Sequence, residues 1–411
     1  MKVCVAMEAM KTNLRHLRAF CEVARCNSIS AASEVVFLSQ PAITQALAKL
    51  ESDLKVSLFD RRSDGMYISE PGAIFLNRVK RALNYIELGI RLAARAAGKG
   101  NRRITPQFDK SLTTVQLRAL LAVSKAQNFS LAARSINVSQ PTLYRSARDL
   151  ERLSGMVLYK KVAQGIELTA AAKVLARYFG LSFYELNQGF EEIQAWCGFD
   201  AGQIVIGTMP LARTYILPKA INDLCRLHPD IRVNVIDGPY EDLLHRLRHG
   251  QIDVLIGALR EPLPVDDVVQ KELFRDPLIL VGRAGHPLAE KSPLSARQLA
   301  AFPWVVPRAG TPTRAQFENV FKTAKIPVPT RLVESSSLIL VLGLLLNSDR
   351  LTMVSAHQVM HEPARGQLVK LAFELADTSR PIGMTVRKDW QPTSTQDKLL
   401  DLLYQASQSV Q

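Results

Sequence analysis

The sequence contains little cysteine and no paired cysteine motif. Five cysteines are scattered over 411 residues, and none of them forms a CxxC pair. Disulfide frameworks and structural zinc sites both need cysteines at close, repeated spacing. The sequence therefore predicts a protein of a reducing compartment, which fits the cytoplasm.

Long hydrophobic segments are also missing. The longest apolar run extends from Leu338 to Leu346, whereas a helix that spans a bilayer needs about 20 residues. The first residues, MKVCVAMEAMKTNLRHLRAF, lack the charged, apolar and small-residue order of a signal peptide. We expect a soluble, cytoplasmic protein.

The sequence has no motif of a common enzyme class. The GxGxxG, P-loop, GxSxG and HExxH patterns are all absent. His245 with His249 and His357 with His361 have the i, i+4 spacing of metal ligands, but no third ligand completes either pair, and a solvated surface is the better interpretation. We expect neither catalysis nor a bound cofactor or metal.

The charge is unevenly distributed along the chain. The formal net charge is +14; residues 1–199 contain 28 Lys/Arg against 16 Asp/Glu, and residues 200–411 contain 24 against 22. A basic excess of this kind is typical of a surface that binds a polyanion such as DNA, although a solvated basic surface is the alternative. A chain of 411 residues is long enough for two or three domains.

A segment of the first half of the chain recurs 100 residues later. The matches keep one offset without a gap, and they include Leu17-Arg18-Ala19 with Leu117-Arg118-Ala119, Ser39-Gln40-Pro41 with Ser139-Gln140-Pro141, Leu50-Glu51 with Leu150-Glu151, and Gly65 with Gly165. Two copies are too few for a solenoid. We interpret them as a duplicated domain.

Each copy predicts three helices followed by a β-hairpin. In the first copy, apolar residues at helical spacing form the first helix, and Ser28 or Ser30 caps a short second helix. Ser39 caps a third helix, with Pro41 in its first turn. Two strands then flank the turn at residues 63–65. This order predicts a winged helix-turn-helix.

The first copy, LRHLRAFCEVARCNSISAASEVVFLSQPAITQALAKLESDLKVSLFDRR, resembles the N-terminal module of LysR-type transcription regulators over its full length. The second copy, LRALLAVSKAQNFSLAARSINVSQPTLYRSARDLERLSGMVLYKK, resembles the same module less closely. The resemblance implies a transcription regulator with two such units in tandem, double-stranded DNA as its partner, and a C-terminal domain that senses a small molecule.

The outward face of the third helix is short and polar, as reading of the major groove requires. The resemblance places base-reading residues on this face and puts wing cations on phosphate or in the minor groove. The predicted DNA-binding residues are Ser39, Gln40, Pro41, Thr44, Gln45, Arg61 and Arg62 in the first copy, and Gln140, Pro141, Tyr144, Arg145 and Lys160 in the second. The alternatives are that these are solvated helix faces, or that the second copy is only a docking module.

After each wing, apolar residues repeat at spacings of three and four along a long helix. They are Leu76, Val79, Leu83, Ile86, Ile90, Ala93 and Ala97 in the first seam, and Phe179, Phe183, Leu186, Phe190, Ile193 and Cys197 in the second. Such a seam needs a partner helix, and the resemblance implies antiparallel pairing of linker helices. Because one chain carries both seams, we expect them to pair with each other. The alternative is that each seam covers its own domain or pairs with the helix of a neighbouring chain.

From Gln203 onward, short apolar strands alternate with amphipathic helices, which is typical of a parallel α/β sheet. The phrases LHPDIRVNVIDG and LRHGQIDVLIG resemble the effector domain of LysR-type regulators. The resemblance implies a periplasmic-binding-protein fold with two lobes and a ligand between them.

Ligands of such sheets bind beyond the carboxyl ends of the strands. The effector-binding residues expected there are Thr208, Met209, Pro210, Gly238, Pro239, Gly310, Thr311, Ser335, Ser336 and Ser355. Arg213, Arg308 and Arg314 would supply countercharge for a small anion such as a carboxylate. The alternative is that these residues are caps and turns.

The predicted fold class is multidomain, with two all-α winged helix-turn-helix domains and their linker helices ahead of an α/β two-lobed periplasmic-binding-protein-like domain. The boundaries are 12–72 and 112–171 for the winged units, 73–97 and 172–198 for the linker helices, 98–111 for a polar connector, and 203–411 for the effector domain, with lobe 1 at 203–280 and 368–411 and lobe 2 at 281–367.

We therefore expect a sequence-specific transcription regulator that senses a small metabolite, such as an organic or aromatic acid, and that is not an enzyme. Its partners would be DNA, the effector, a second copy of the chain in a homo-oligomer, and RNA polymerase if it activates transcription. The alternative is a cytoplasmic solute-binding receptor in which the second helix-turn-helix is only a docking module.

Overall fold

The structure is a computed structural model that describes residues 12–98, 108–163, 165–199, 202–209, 216–356, 366–375 and 378–408. The chain divides into two units, Met1–Gly202 and Gln203–Gln411. The first unit contains the duplicated part of the sequence, and the second contains the alternating strands and helices. The change in periodicity at Gln203 therefore marks a structural boundary.

The first repeat of the first unit folds into three short helices, a hairpin and one long helix. The elements are α1 (Leu14–Cys26), α2 (Ile29–Val36), α3 (Gln40–Leu54), β1 (Phe59–Arg62), β2 (Gly65–Ile68) and α4 (Glu70–Ala96). Ser28 and Ser39 accept hydrogen bonds from the backbone amides of the first turns of α2 and α3. The predicted caps are confirmed, because serine oxygens satisfy amides that have no partner within the helix.

The second repeat contains the same elements in the same order. They are α6 (Thr114–Ala126), α7 (Phe129–Ser135), α8 (Gln140–Ser154), β3 (Tyr159–Val162), β4 (Gly165–Leu168) and α9 (Ala170–Trp196). A further short helix, α5 (Phe108–Ser111), precedes them and has no counterpart among the described residues of the first repeat. The same side-chain hydrogen bond also occurs in both repeats: Leu58 N donates to Glu51 Oε1, and Leu158 N donates to Glu151 Oε1, both at 2.8 Å. The two repeats therefore share their local backbone geometry.

Each hairpin is held close to the end of the first helix of its repeat. Met66 N donates to Asn27 O at 3.0 Å, and Ile166 N donates to Gln127 O at 2.9 Å. A Cβ atom on Gly165 would lie 2.7 Å from Gln127 O, and this glycine has φ +134°. Only glycine fits that position without strain, which explains why a glycine opens the second strand of the hairpin.

The long helices α4 and α9 run antiparallel and pack against each other. A Cβ atom on Gly89 would lie 2.6 Å from Tyr178 Cβ, and one on Gly189 would lie 3.0 Å from Arg78 Cβ. Both glycines thus allow the helix backbones to approach closely. The expected pairing of the two seams within one chain is confirmed in the described part of the molecule.

Most of the predicted seam residues lie in one shared core. Those that are buried are Val79, Ile86, Ile90, Ala93, Phe179, Phe183, Leu186, Phe190 and Ile193, and Leu76, Leu83 and Ala97 pack against the same core. The prediction for Cys197 is wrong. Because α9 ends at Trp196, Cys197 is the exposed residue that follows the helix.

The described end of the predicted connector 98–111 is ordered rather than free. Phe108 in α5 is buried, and Arg18 Nη2 donates to Asp109 O at 2.5 Å. This end of the connector therefore packs on the first repeat. Residues 99–107 of the connector lie outside the described residues.

The first lobe of the second unit is built on a five-stranded sheet. Its elements are β5 (Gln203–Thr208), α10 (Ile216–Leu227), β6 (Arg232–Asp237), α11 (Tyr240–Arg248), β7 (Val254–Ala258), β8 (Val268–Asp276), and, from later in the chain, β14 (Arg380–Arg387) and α15 (Ser394–Gln408). The strand order is β6-β5-β7-β14-β8. Strands β6, β5 and β7 are parallel, and β14 is antiparallel to both of its neighbours.

The second lobe contains a three-stranded antiparallel sheet and a parallel strand pair. Its elements are β9 (Leu278–Arg283), α12 (Ala296–Ala300), β10 (Trp304–Val306), α13 (Pro312–Thr323), β11 (Leu332–Glu334), α14 (Leu338–Leu346), β12 (Thr352–Ser355) and β13 (Leu368–Lys370). Strand β9 lies between β12 and β13, and β10 pairs with β11. Trp304 packs against Phe317 and Phe321 in the core of this lobe.

The structure moves the predicted lobe boundaries by a few residues. The sequence alone assigns residues 278–280 and 368–370 to lobe 1. They belong to the sheet of the second lobe instead, because β9 pairs with β13 from Leu368↔Arg283 to Lys370↔Val281. The chain therefore crosses to the second lobe between Asp276 and Leu278, and it returns to the first lobe between β13 and β14.

Candidate nucleic-acid interface and effector cleft

Helix α3 presents the predicted polar face to solvent. Ile43, Leu47 and Leu50 are buried in the core of the first unit, whereas Thr44 and Gln45 are exposed. The spacing of three and four puts the first set on one side of the helix and the second set on the other. The arrangement leaves a short, hydrogen-bonding surface free to meet another molecule.

Hydrogen bonds hold the first residues of this face in place. Gln40 Nε2 donates to Ser30 Oγ at 3.2 Å, and Thr44 Oγ1 donates to Gln40 O at 3.0 Å. The pair recurs in the second repeat, where Ser130 Oγ donates to Gln140 Oε1 at 2.8 Å. A side chain that is already ordered loses less conformational entropy when it binds.

The first hairpin carries two exposed cations. Arg61 and Arg62 are exposed on β1, and the Arg62 guanidinium lies 4.9 Å from the centre of the Tyr67 ring. Tyr67 OH donates to Asp64 Oδ2 at 2.9 Å, and this hydrogen bond raises the pKa of Tyr67. The stacked tyrosine orders the wing and leaves guanidinium donors free for phosphate.

Helix α8 has the same buried side but a different exposed side. Tyr144 and Arg145 are exposed. The Tyr144 ring packs edge-on against Phe129 at 5.2 Å between centroids, and the Arg148 guanidinium lies 5.1 Å from the Tyr144 centroid. Phe129 also contacts Tyr159 at 5.7 Å. Phe129, which itself packs on Tyr159, holds Tyr144 in place, and no sequence motif singles out either residue.

Strand register changes the match between the two wings. Arg61 pairs with Met66 and Lys161 pairs with Ile166, so Lys161 is the residue equivalent to Arg61. Lys160, the predicted wing cation, is exposed but corresponds to Asp60 at the offset of 100. Val162 takes the place of Arg62 and offers no charge. The second wing therefore presents its cations at shifted positions.

In the first lobe, the predicted effector-binding residues that the structure describes lie at the carboxyl ends of β5 and β6. Thr208 is buried and pairs in register with Asp237, so Gly238 lies beside it. Met209 packs against β7, since a Cβ atom on Gly257 would lie 2.6 Å from Met209 Sδ. Pro239 precedes α11 and offers no side-chain cap. Pro210 and Arg213 lie outside the described residues.

In the second lobe, several predicted residues act as caps. Thr311 Oγ1 accepts from Arg314 N at 3.4 Å, and Ser335 Oγ accepts from Ser337 N at 3.1 Å. Gly310, Ser336 and Arg308 are exposed beside them. The remaining predicted cation, Arg314, is paired with Glu318 and Glu334. Its charge is therefore already balanced, which weakens it as a countercharge for an anion.

A buried network joins the two lobes where the chain crosses between them. Ser355 Oγ donates to Asp276 Oδ1 at 2.5 Å, and Arg380 Nη2 donates to Asp276 Oδ2 at 3.1 Å. Arg380 Nη1 also donates to Thr313 Oγ1 at 2.6 Å. Burial lowers the pKa of Arg380 more than the charge of Asp276 raises it. Of these residues, the sequence pattern identified only Ser355.

Two polar groups near this network have no hydrogen-bond partner among the described residues. They are Arg260 Nη1 and Tyr240 OH, both buried. The Arg260 guanidinium lies 4.6 Å from the centre of the Tyr240 ring, and its charge lowers the pKa of Arg380. Buried donors without a partner are costly unless something satisfies them. An anionic group that accepts hydrogen bonds from both residues would do so.

The described residues contain no group of metal-ligating side chains and no helix long and apolar enough to cross a membrane. His245 and His249 stack at 3.9 Å between ring centroids. His357 and His361, the other predicted pair, lie outside the described residues. The four cysteines that the structure describes are free.

Two family models match the chain. The model "LysR substrate binding domain" matches residues 198–408, and "Bacterial regulatory helix-turn-helix protein, lysR family" matches twice, at 14–73 and 114–173. Each helix-turn-helix match covers the three short helices and the hairpin of one repeat. The substrate-domain match covers the two lobes.

Two similar transcription regulators differ in how much of this chain they match. The HTH-type transcriptional regulator GalR of Pseudomonas putida is 32% identical over 375 residues, which are 91% of this chain and 92% of that protein. The HTH-type transcriptional regulator PcaQ of Agrobacterium fabrum is 25% identical over 73% of this chain and 96% of its own length. GalR is thus nearly as long as this chain, whereas PcaQ is shorter.

Solved structures share the fold. A full-length OxyR variant from Pseudomonas aeruginosa has a TM-score of 0.51 at 22% identity, covering 71% of this chain and 97% of its own. CbnR, a LysR family transcriptional regulator, has a TM-score of 0.50 at 21% identity, covering 71% and 98%. Both similarities leave more than a quarter of this chain without a counterpart.

Proposed function

The chain belongs to the LysR family of bacterial transcription regulators, and we propose that both of its helical repeats are winged helix-turn-helix units that bind DNA together. It is a DNA-binding transcription regulator with a C-terminal effector domain. The finer proposal is that one chain supplies the pair of reading helices for which a single-unit regulator needs two chains.

The antiparallel pairing of α4 with α9 carries this proposal. The Gly89–Tyr178 and Gly189–Arg78 contacts are equivalent at the offset of 100, so the two repeats are related by an approximate twofold axis. Twofold-related helix-turn-helix units suit duplex half-sites, because successive major-groove faces repeat along the helix. The basic excess of residues 1–199 supports contact with phosphate.

We assign base reading to the outward faces of α3 and α8 and phosphate contact to the wings. The proposed residues are Ser39, Gln40, Pro41, Thr44, Gln45, Arg61 and Arg62 in the first repeat, and Gln140, Pro141, Tyr144, Arg145, Lys160 and Lys161 in the second. Gln45 suits adenine and Arg145 suits guanine, since each side chain can make a bidentate pair with that base. The operator should therefore have two unlike half-sites.

Selection of bound duplexes by the full-length chain tests the proposal. We expect an imperfect palindrome with protection over both half-sites, and affinity that falls steeply between two salt concentrations through counterion release. A single half-site would show that only one repeat reads DNA, and a true palindrome would show pairing of identical repeats from two chains.

A second candidate role for the second repeat is protein docking. The aromatic cluster of Phe129, Tyr144 and Tyr159 favours it, because exposed tyrosine beside arginine is typical of protein interfaces. The same selection experiment separates the two roles. A docking repeat would leave no footprint on DNA.

For the effector domain, we propose that the cleft binds a small organic acid, such as an aromatic carboxylate. The unpartnered Arg260 Nη1 and Tyr240 OH support a carboxylate, and the further residues that we propose to contact it are Thr208, Met209, Pro210, Gly238, Pro239, Gly310, Thr311, Ser335, Ser336 and Ser355. A thermal-shift screen of carboxylic acids tests this, since ligand at 100 times its Kd adds about 2.7 kcal/mol of stability. Arg260→Met should abolish the shift, whereas exposed Arg297→Met should not.

We further infer that the chain acts in the cytoplasm, where the chromosome is accessible, and has no catalytic role. Contact with RNA polymerase would follow if it activates transcription. A homo-oligomer would have to form through surfaces other than the paired helices α4 and α9, because each chain already uses both.

A further inference from the structure

One end of the α4–α9 seam contains a cluster of four charged side chains, of which Arg78 and Glu185 are buried. Arg78 Nε donates to Glu192 Oε2 at 2.9 Å, and Arg78 Nη1 donates to Glu185 Oε2 at 3.0 Å. Arg81 Nη2 donates to Glu185 Oε1 at 3.0 Å. The side chains of Arg78 and Glu185 are each 2% exposed. A buried ion pair adds little net stability compared with apolar residues, but it strongly penalises any arrangement that leaves one charge unpaired.

At the other end of the seam, the four equivalent positions carry uncharged residues. At the offset of 100, the residues that correspond to Arg78, Arg81, Glu185 and Glu192 are Tyr178, Leu181, Tyr85 and Leu92. The Tyr85 and Tyr178 ring centroids lie 6.2 Å apart. All four charges of the cluster are thus concentrated at one of two equivalent sites, with both arginines on α4 and both glutamates on α9.

This distribution discriminates between possible helix pairs. In the same geometry, two α4 helices would bury the Arg78 of each helix against Tyr85 and Leu92 of the other, with no carboxylate. In a pair of two α9 helices, Tyr178 and Leu181 would stand where Arg78 and Arg81 pair with Glu185. An unpaired buried charge is costly, and in the α4–α9 pair each of the four charged side chains has a partner of opposite charge.

We propose that Arg78, Arg81, Glu185 and Glu192 form a pairing-specificity site that makes α4 select α9 and reject a second α4. The site excludes dimerisation of two chains through like linker helices, and each chain keeps a complete pair of repeats. The inference deepens the proposed function and rests on it for the consequence at DNA, but helix pairing is measured without DNA.

Three full-length variants test the site. The acid-only chain carries Arg78→Tyr and Arg81→Leu, and the base-only chain carries Glu185→Tyr and Glu192→Leu. The neutral chain carries all four changes, so that its charged site is rebuilt with the residues of the uncharged site. Alone, the first two chains have unmatched charges in their seams. Together they offer a wild-type seam and a neutral seam if they exchange helices.

A disulfide reports the exchange. Ala93 and Val174 lie one helical turn beyond the Gly89–Tyr178 contact, in the directions that bring them together in an antiparallel pair. Ala93→Cys is placed in the acid-only chain and Val174→Cys in the base-only chain. A covalent dimer with this linkage forms only if α4 of one chain pairs with α9 of the other. The control is a pair of chains with wild-type seams and the same two cysteines.

We expect both single-charge chains to unfold at lower temperature than wild type and the neutral chain to unfold near it. We expect co-production of the first two to yield at least about tenfold more 93–174 disulfide than the control. The proposal is overturned if no excess disulfide forms, if the single-charge chains are as stable as wild type, or if the neutral chain does not fold, since the two sites would then not be equivalent. Correct pairing without DNA binding would count against the proposed function alone.

Discussion

The two repeats of the first unit share the contacts that build their backbone and differ where they face other molecules. Glu51 and Glu151 accept equivalent hydrogen bonds from Leu58 N and Leu158 N, and Ser39 and Ser139 cap the equivalent helices α3 and α8. The exposed pair Thr44-Gln45 of the first repeat is replaced by Tyr144-Arg145 in the second. The contacts that fix the local backbone are thus the same in both repeats, whereas the exposed residues of the third helices differ.

The difference extends into the seam between the repeats. One of its two equivalent sites is charged and the other is aromatic and aliphatic. Divergence on the outer faces would let the repeats read different half-sites, and divergence in the seam would fix which helices pair. A duplicated unit therefore specialises without any change of fold.

The largest expected effect is the loss of stability caused by alanine at the two equivalent glycines of the seam, whose nearest contacts differ in distance. Gly89→Ala should lower the free energy of unfolding by about 3 kcal/mol, because the new Cβ atom would lie 2.6 Å from Tyr178 Cβ. Gly189→Ala should cost less, since its nearest contact is 3.0 Å. Urea unfolding followed by circular dichroism measures both. Gly343→Ala is the control, since nothing lies within 4 Å of that position; a similar loss there would refute the packing argument.

Loss of a base contact should affect one half-site only. Gln45→Ala should weaken binding to the first half-site, and Arg145→Ala to the second, each by about 2 kcal/mol. Titration of duplexes with one half-site scrambled at a time separates the two effects. If both variants weakened the same half-site, the assignment of one repeat to each would be wrong.

The wings should differ in a weaker and less specific way. Arg61→Ala with Arg62→Ala should weaken all sequences evenly by about 1 kcal/mol and reduce the salt slope by about one for each lost phosphate contact. Lys161→Ala should weaken DNA binding less, because Val162 stands in the second wing where the first wing has Arg62. Binding isotherms at several salt concentrations measure both, and the exposed Lys125→Ala serves as a control. A sequence-dependent loss would point to base reading by the wing.

The smallest expected difference between the repeats is in how the free energy of unfolding depends on pH. Burial lowers the pKa of His16 below its ordinary value of 6.5, and Gln116 stands at the equivalent position. Because the unfolded chain binds the proton more readily, this contribution to stability is present above pH 6.5 and is lost as the pH falls below it. His16→Gln should remove that part of the pH dependence of the unfolding free energy. An unchanged profile would mean that other groups cause it.

The helices and strands are predictable from sequence because their signals are local. Ser28, Ser39 and the helical spacing in α3 depend on neighbours within one or two turns. The strand ends that hold Thr208 and Gly238 follow from alternation alone. Lys160 matches the first wing only by residue type, and the register in the hairpin points to Lys161 instead.

Polar residues that meet across long sequence separations are not predictable, because no local signal marks them. Asp276 and Arg380 are far apart in sequence, and neither belongs to a motif. Arg260 and Tyr240 are distinguished only by burial without a partner, which no spacing reveals. Side-chain burial and pairing depend on the packing of distant segments, so the candidate effector site is only partly predictable from sequence.

The duplication, the order of helices and strands, the caps and the family can all be read from the amino-acid sequence, because periodicity and capping act over a few residues. The sequence also indicates that each repeat ends in a helix that needs a partner. The identity of that partner is a property of the folded chain. It depends on close approach at Gly89 and Gly189 and on Arg78 being buried against Glu185 and Glu192, and the free energy of a buried charge is set by whatever packing places beside it.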